Sequence, residues 1–470
     1  MPDNNTQHGP GELSLKKKRD QLLNVLGIDR AVRYTLFNRS WMLASGLLTM
    51  VFIAGYFSVE QQGYYYTFYS LLAMQIFVEL GMSGVIATFA SHEFAALQWG
   101  EKGEIHGDPL AMNRFIDLVS KTVKWFGIAA IVLMFVLIPA GLLFFSKGQV
   151  SAVAFAWQLP WVLAVIGTAI NLLSIPFFSA IMGSGDVVAV NYRELIGGLV
   201  GSLLSWAVIA LGGGLYAFCV VSCCNIIVTW VYLVRYKPRL LTMVWNRIRE
   251  KERRETKNDI SWRQEVWPLQ WRTAIAWAFG YLSAQLFNPV LFYYHGPVIA
   301  GQMGMTLNAS AAMLVIATTW INARTPEFAK LIAVRQWSEL DRMFSKVTKQ
   351  CIGVVSFGGI SLLAIMTLLH TYTNFGQRFL PVSQAAFLVG SYWILTIVST
   401  MAVYLSAHKK EPYLTLSVVG AIVQGAATWY FGMRYGAMGA ASSFFIISLI
   451  SFPFPYYIWR RCRAEWHGLN

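Results

Sequence analysis

Gly127-Ile-Ala-Ala-Ile-Val-Leu-Met-Phe-Val-Leu-Ile-Pro-Ala-Gly-Leu-Leu-Phe-Phe145 is a run of nineteen residues without one polar side chain. About 20 apolar residues in a helix cross the hydrocarbon core of a bilayer, so this run reads as a membrane span. Eleven more apolar runs lie around it, separated by short polar turns. The spans are predicted at 40–58, 64–90, 118–145, 152–181, 191–211, 213–234, 271–294, 298–322, 350–370, 380–406, 412–431 and 436–459. The whole chain is 56% hydrophobic and 13% charged, where a soluble domain carries about 25% charged residues. The expected fold is all-α: a polytopic membrane protein with twelve transmembrane helices.

The charges sort by side. Residues 1–38 carry Lys16, Lys17, Lys18, Arg19, Arg30 and Arg33, and Arg39 follows. The link from Arg235 to Arg272 holds eleven Lys or Arg. The links after spans two and eight add Arg114, Lys121, Lys124, Arg324, Lys330, Arg335, Arg342, Lys346 and Lys349. Of the 37 basic residues, only Lys147, Arg378 and Arg434 fall on the other side. Basic loops stay in the cytoplasm, so both termini are expected there. The net charge of +14 then reflects topology and attraction to anionic lipid rather than nucleic-acid binding. No cleavable signal peptide is expected, because the first thirty residues are polar and basic. Leu15–Phe37 reads either as an amphipathic helix on the inner leaflet or as a solvated tail. Cys219, Cys223, Cys224, Cys351 and Cys462 have no ligand partners nearby in sequence and read as small apolar fillers.

The polar stretch at 235–270 divides the chain into halves of six spans, 39–234 and 271–459, with a tail at 460–470. Six is even, so the halves enter the membrane in the same sense and a duplication must be parallel. Arg114-Phe-Ile-Asp-Leu-Val-Ser-Lys121 opens the third span of one half, and Arg342-Met-Phe-Ser-Lys-Val-Thr-Lys349 opens that of the other. Phe89-Ala90 and Phe328-Ala329 close the second spans alike, and Arg39 and Trp41 match Trp271 and Arg272 at the first. Two pseudo-symmetric six-helix lobes around a central cavity are expected.

No Gly-x-x-x-x-Gly-Lys-Ser/Thr phosphate loop occurs. His92-Glu93 resembles half a zinc motif, but position 96 is Ala. No catalytic set can be assembled and the loops on the less basic side are short, so a transporter without enzymatic chemistry or cofactor is expected. Glu79 lies mid-span in Phe77-Val-Glu-Leu-Gly-Met-Ser-Gly84. An ionisable group there costs several kcal/mol, which reads either as a cavity carboxylate or as a structural hydrogen bond. Arg193 and Glu194 are expected to pair. Asn171, Asn225, Gln285, Asn288, Gln384 and Gln424 are expected mainly to join helices. Asn288-Pro289 interrupts span seven and predicts a bend that serves as a hinge. Arg114, Lys121 and Lys124 share one helix face, as do Arg342, Lys346 and Lys349. Topology alone would place them there. The alternative has Lys121, Lys124 and Lys349, with Arg39 and Arg272, bordering the cavity to draw a phosphate or pyrophosphate.

Glu79-Leu-Gly-Met-Ser-Gly-Val-Ile-Ala-Thr-Phe-Ala90 resembles the acidic-x-Gly-hydrophobic-Ser stretch in the second helix of polysaccharide flippases. These belong to the multidrug/oligosaccharidyl-lipid/polysaccharide exporter superfamily. Ile181-Met-Gly-Ser-Gly-Asp186, Gly212-Gly-Gly-Leu215 and Tyr435-Gly-Ala-Met-Gly-Ala-Ala441 resemble further links of that family. The resemblance implies a flippase that carries an undecaprenyl-pyrophosphate glycan across a bacterial inner membrane by alternating access. It implies membrane lipids, a proton or sodium ion, and a glycan polymerase or glycosyltransferase as partners. Glu79 stands where Asp is common in the family. The extra helix pair of the lipid II flippases is missing, which makes peptidoglycan precursor a less favoured cargo. The rival readings are a cation-coupled multidrug antiporter of the same superfamily and a non-transporting component of glycan assembly.

Overall fold

The computed structural model describes residues 30–147, 155–249, 260–408, 410 and 412–467. Among these residues, nine helices are each long and apolar enough to cross a membrane. Two bent helix pairs supply one further span each. The last candidate, Leu414–His467, is two spans in one. Gly436 breaks it with φ 62° and ψ −147°, a backbone region that suits glycine. A Cβ on Gly439 would sit 2.2 Å from the Phe431 carbonyl oxygen, whereas eight residues of straight helix advance about 12 Å. The chain therefore doubles back at Gly436, and the described residues make twelve crossings.

Span one is α1 (Arg30–Tyr56). Span two is α2 (Val59–Leu72), α3 (Ile76–Glu79) and α4 (Met82–Phe94). Ser58 and Gln61 form a capping box that starts α2. Spans three to six are α5 (Pro109–Lys147), α6 with α7 (Gln158–Leu172, Ile175–Gly183), α8 (Val187–Ala210) and α9 (Tyr216–Tyr236). A helix α10 (Pro238–Arg249) follows. Span seven is α11 and α12 (Trp267–Ala284, Phe287–His295), and spans eight to ten are α13 (Pro297–Ala333), α14 (Trp337–Tyr372) and α15 (Val382–Ala407). Spans eleven and twelve are the arms of α16 (Leu414–Ser451), the second continued by α17 (Pro453–His467). Gly197-x-x-x-Gly201 lets α8 meet α9 closely, at Asn225 and Val221, as small residues do in membranes.

Three features differ from the sequence expectations. A two-stranded antiparallel hairpin, Leu97–Trp99 with Ile105–Gly107, joins spans two and three. Residues 30–37 continue α1 rather than forming a separate surface helix, and the rest of 15–37 lies outside the described residues. The central link contains α10, whose Leu240 and Val244 are buried one turn apart, so it is a packed surface helix rather than a plain polar tether. Helices α5, α13 and α14 have 39, 37 and 36 residues. At 1.5 Å per residue they run to about 54–58 Å, well beyond a core of about 30 Å. Their basic ends are helical overhangs, which places Arg114 and Arg342 beyond the apolar run.

The lobes meet most tightly where α2 and α13 begin, at the end opposite the basic links. A Cβ on Gly63 would lie 1.9 Å from the Pro297 carbonyl oxygen, and one on Gly301 would lie 2.8 Å from the Gly63 nitrogen. The Gln62 amide donates to the carbonyls of Gly301 (2.9 Å) and Arg378 (2.8 Å). Arg378 in turn donates to the Phe57 carbonyl. Beneath them Phe292 packs edge-on against Tyr64 (4.9 Å) and Phe145 (5.1 Å). Such ring pairs add about 0.5–1.5 kcal/mol each beyond burial. This end is closed.

Candidate functional site

Span two does not run straight past Glu79. Leu80 (φ 52°, ψ 32°) and Gly81 (φ 66°) are both left-handed, and the two parts of the span bend by 44°. For leucine that conformation costs roughly 1–2 kcal/mol, which the packing around it must offset. Gln75 and Ser83, on either side of the break, line a cavity of about 280 Å³ with Asn171, Ser174, Arg193 and Glu194. It lies wholly within the first lobe.

Arg193 and Glu194 do not pair. Neighbouring positions on a helix point about 100° apart, so the two side chains take different partners. The Asn38 amide donates to Glu194 Oε2 at 3.0 Å. The Arg193 guanidinium lies 4.2 Å from the centre of the Phe178 ring, and its Nε is buried without a hydrogen-bond partner. Sequence reasoning named Arg193 and expected a direct pair with Glu194, which lines the same cavity but takes the Asn38 amide instead. It missed Asn38, which nothing but the packing of α1 on α8 brings to Glu194.

Glu79 is 9% exposed and ends α3, which packs against α11 and α5. It has no hydrogen-bond or ion-pair partner among the described residues, and it does not line the first-lobe cavity. Arg39 and Lys124 are exposed. Lys121 is tied down: its ammonium meets Asp117 at 3.0 Å and donates to the Ile260 carbonyl at 2.8 Å. The Arg272 side chain lies outside the described part. Lys349 is exposed and lines a separate cavity of the second lobe. The structure thus does not gather the proposed cations around one described cavity. The bend of span seven exists, 42° between Thr273–Ala284 and Phe287–His295, but it falls at Gln285–Leu286. Pro289 sits in the first turn of α12, where its missing N–H has no partner to lose. Asn288 is buried and donates to Ser70 Oγ at 3.0 Å, a bond between the lobes.

The basic end is held by ion pairs. Arg114 joins Glu93 (2.8 Å) and Glu265 (2.7 Å), which gives Glu93 a structural partner in place of the incomplete zinc motif. Lys237 pairs with Asp186 at 3.2 Å and lies 3.7 Å from the Trp99 ring centre. Burial pushes its ammonium down from the usual lysine range, with Asp186 opposing. Trp99 donates to Ser184 Oγ at 2.8 Å, so the Ile181–Asp186 turn anchors the hairpin. Among the described residues no three His, Cys, Asp or Glu groups could hold a metal.

No family model and no curated protein matches the sequence. Solved structures match its fold. The lipid II flippase MurJ in an inward closed conformation aligns at TM-score 0.63 and 13% identity, over 91% of this chain and 87% of MurJ. An inward-facing multidrug resistance MATE family transporter of the MOP superfamily aligns at 0.62 and 13%, over 92% and 96%. A MOP superfamily transporter from Pyrococcus furiosus, described by the reverse polarity of its binding pocket, aligns at 0.53 and 14%, over 93% and 95%. The chain has the two-lobed fold of MOP superfamily transporters, and it is a multi-pass membrane protein. That fold serves cargos of different chemistry, so the cargo must be argued from the site.

Proposed function

We propose that this protein is a flippase that moves an undecaprenyl-pyrophosphate-linked glycan from the inner to the outer leaflet of a bacterial inner membrane. The observation that carries the reading is Arg193, a guanidinium in the second turn of span five with its Nε buried and without a hydrogen-bond partner, in a cavity lined by serines, amides and Glu194. Glu194 lines the same cavity but takes the Asn38 amide, so the guanidinium keeps donors to offer an anionic cargo. The first lobe is taken as 39–234 and the second as 271–459, with 1–38, 235–270 and 460–470 cytoplasmic by the charge rule. The sealed far end then faces outwards, and the lobes rock about the α2–α13 contact. Arg39, Lys124 and Arg272 raise the local concentration of the pyrophosphate head, while Lys121 holds the linker. Glu79, unpartnered and buried at a helix break, carries the coupling proton or sodium ion, and the bend ahead of Asn288 and Pro289 acts as the hinge. Glycosyltransferases or a polymerase of the same glycan are the expected partners.

The second reading is a cation-coupled multidrug antiporter, favoured by the buried carboxylate Glu79 and by Glu194 in the first-lobe cavity. Arg193→Gln separates the two in proteoliposomes. Loss of lipid-linked glycan translocation by tenfold or more, with folded protein unchanged, supports the flippase. Unchanged glycan translocation together with proton-driven efflux of a cationic dye would favour the antiporter.

A further inference from the structure

A cavity of about 460 Å³ opens at the basic end of the second lobe, between α14, α15 and α17. Its lining divides by chemistry. Lys349 and Arg463 supply positive charge, Ser345, Thr348 and Thr400 supply hydroxyls, and Phe344, Met401 and Trp459 make an apolar wall. Arg463 is fixed by Asp341 through its Nε (3.1 Å) and a terminal nitrogen (2.6 Å). That pairing leaves Lys349 as the uncompensated charge, because it has no partner among the described residues. Thr348 Oγ1 and Trp459 Nε1 are buried with no hydrogen-bond partner. Two orphaned hydrogen-bonding groups and a free ammonium beside an apolar wall make an incomplete site, since buried polar atoms are normally satisfied.

The first lobe shows what completes such a site. Lys121 stands at the position that matches Lys349 in the repeated segment, and there it donates to the Ile260 carbonyl. Nearby, Arg114 meets the Glu265 carboxylate. Ile260 and Glu265 both belong to the linker, which supplies oxygen acceptors to the basic end of span three. A linker joins the lobes once and covers one of the two equivalent ends.

We propose that the cavity between α14, α15 and α17 binds the phosphate head of an anionic membrane lipid, with the phosphate on Lys349 and the acyl chain along Phe344, Met401 and Trp459. Basic pockets between helices at the cytoplasmic face are the usual form of such sites. The site is independent of the flippase reading and holds a lipid that is not the cargo.

The test uses the full-length protein in neutral detergent, with lipid retention followed by native mass spectrometry and by thermal unfolding. Dioctanoyl-phosphatidylglycerol is the probe, and dioctanoylglycerol and inorganic phosphate are tested separately. The phospholipid is expected to be retained and to raise the Tm, while the other two do neither. Lys349→Gln is expected to weaken retention about tenfold, and Lys349→Arg to restore it. Thr348→Val, which keeps every charge, is expected to weaken retention about threefold and covers the case in which Lys349→Gln fails to fold. Equal retention by wild type and both weakened variants overturns the proposal. So does a Tm rise with inorganic phosphate alone that matches the phospholipid, which would make the site one for free phosphate.

Discussion

The third helix of each lobe opens with a related sequence, yet the two ends meet different surroundings. On α5, Asp117 receives Arg247 (3.4 Å), Lys121 (3.0 Å) and the Ile260 N–H (3.2 Å). On α14, Asp341 receives Arg463 (2.6 Å) and the Tyr404 hydroxyl (3.0 Å), and Lys349 is left open. In both lobes an arginine from the helix that follows or continues the last span holds an aspartate of the third span. The difference is the linker, present once and lying on the first lobe. A duplicated fold thus produces one clamped end and one open end without changing its helices.

The largest expected effect comes from removing the clamp. Asp117 is 5% exposed and satisfies two cations and an amide. Leaving buried charges without their partner costs about 3–5 kcal/mol, so Asp117→Ala is expected to lower the unfolding temperature sharply. Asp341, with 22% of its side chain exposed against 7% for Asp117, is expected to cost about 1–3 kcal/mol. Equal losses for the two variants in thermal unfolding would erase the contrast between the lobes.

The next effect is at the opposite end, where both lobes contribute alike. Gly63→Ala drives a methyl into the Pro297 backbone, and overpacking of this kind costs about 1–3 kcal/mol. The closed far end is expected to open by roughly tenfold in population, because a 1.4 kcal/mol change is a factor of ten. Spin labels at Tyr56 and Tyr372, exposed on separate lobes, would report it as a longer distance in a cysteine-free background. An unchanged distance distribution would mean that the Gly63–Pro297 contact is not a gate.

Much of the architecture was legible before any coordinates. Uninterrupted apolar runs mark the spans because lipid leaves the backbone no partner but itself. The tight turn near Tyr435-Gly436 follows from a glycine where the chain must reverse. The hairpin at 97–107 was not legible, since its strands are three residues each and carry no alternation long enough to read. The site was legible only in part. Arg193, Glu79 and Lys349 stood out as charges, but their partners come from helices distant in sequence, as Asn38 does for Glu194. Whether a basic face is covered depends on where the linker lies, and helix periodicity carries no signal for that.

A smaller effect concerns the linker itself. Lys121→Gln removes its bond to Ile260, worth about 1.5–3 kcal/mol for a charged donor and less where water enters. Amide exchange at Ile260 is expected to quicken about fivefold or more, while Lys349→Gln leaves it unchanged. Similar exchange in the two variants would show that the lysine does not hold the linker.

The smallest effect is on pH. Burial alone would raise the Glu265 carboxyl, but the Ser261 N–H and the Arg114 guanidinium outweigh it and hold the group below the usual range. A depressed carboxyl stabilises the folded clamp above its unfolded pKa and loses that contribution as pH falls through the folded value. Exchange at the Ser261 amide, bonded to Glu265 at 2.9 Å, is therefore expected to stay protected until pH drops below the ordinary glutamate range of about 4.3. Loss of protection between pH 7 and 5, after correction for intrinsic exchange, would contradict this pairing.

The most direct test of the proposed flippase is translocation in proteoliposomes containing this protein alone. A fluorescent undecaprenyl-pyrophosphate oligosaccharide is placed in the inner leaflet, and its arrival outside is followed with a membrane-impermeant quencher. Wild type is expected to move the lipid, Arg193→Gln to slow it at least tenfold, and Gly63→Ala to slow it by an intermediate amount. Quenching no faster than in protein-free vesicles, from protein that is folded and correctly inserted, would contradict the flippase assignment.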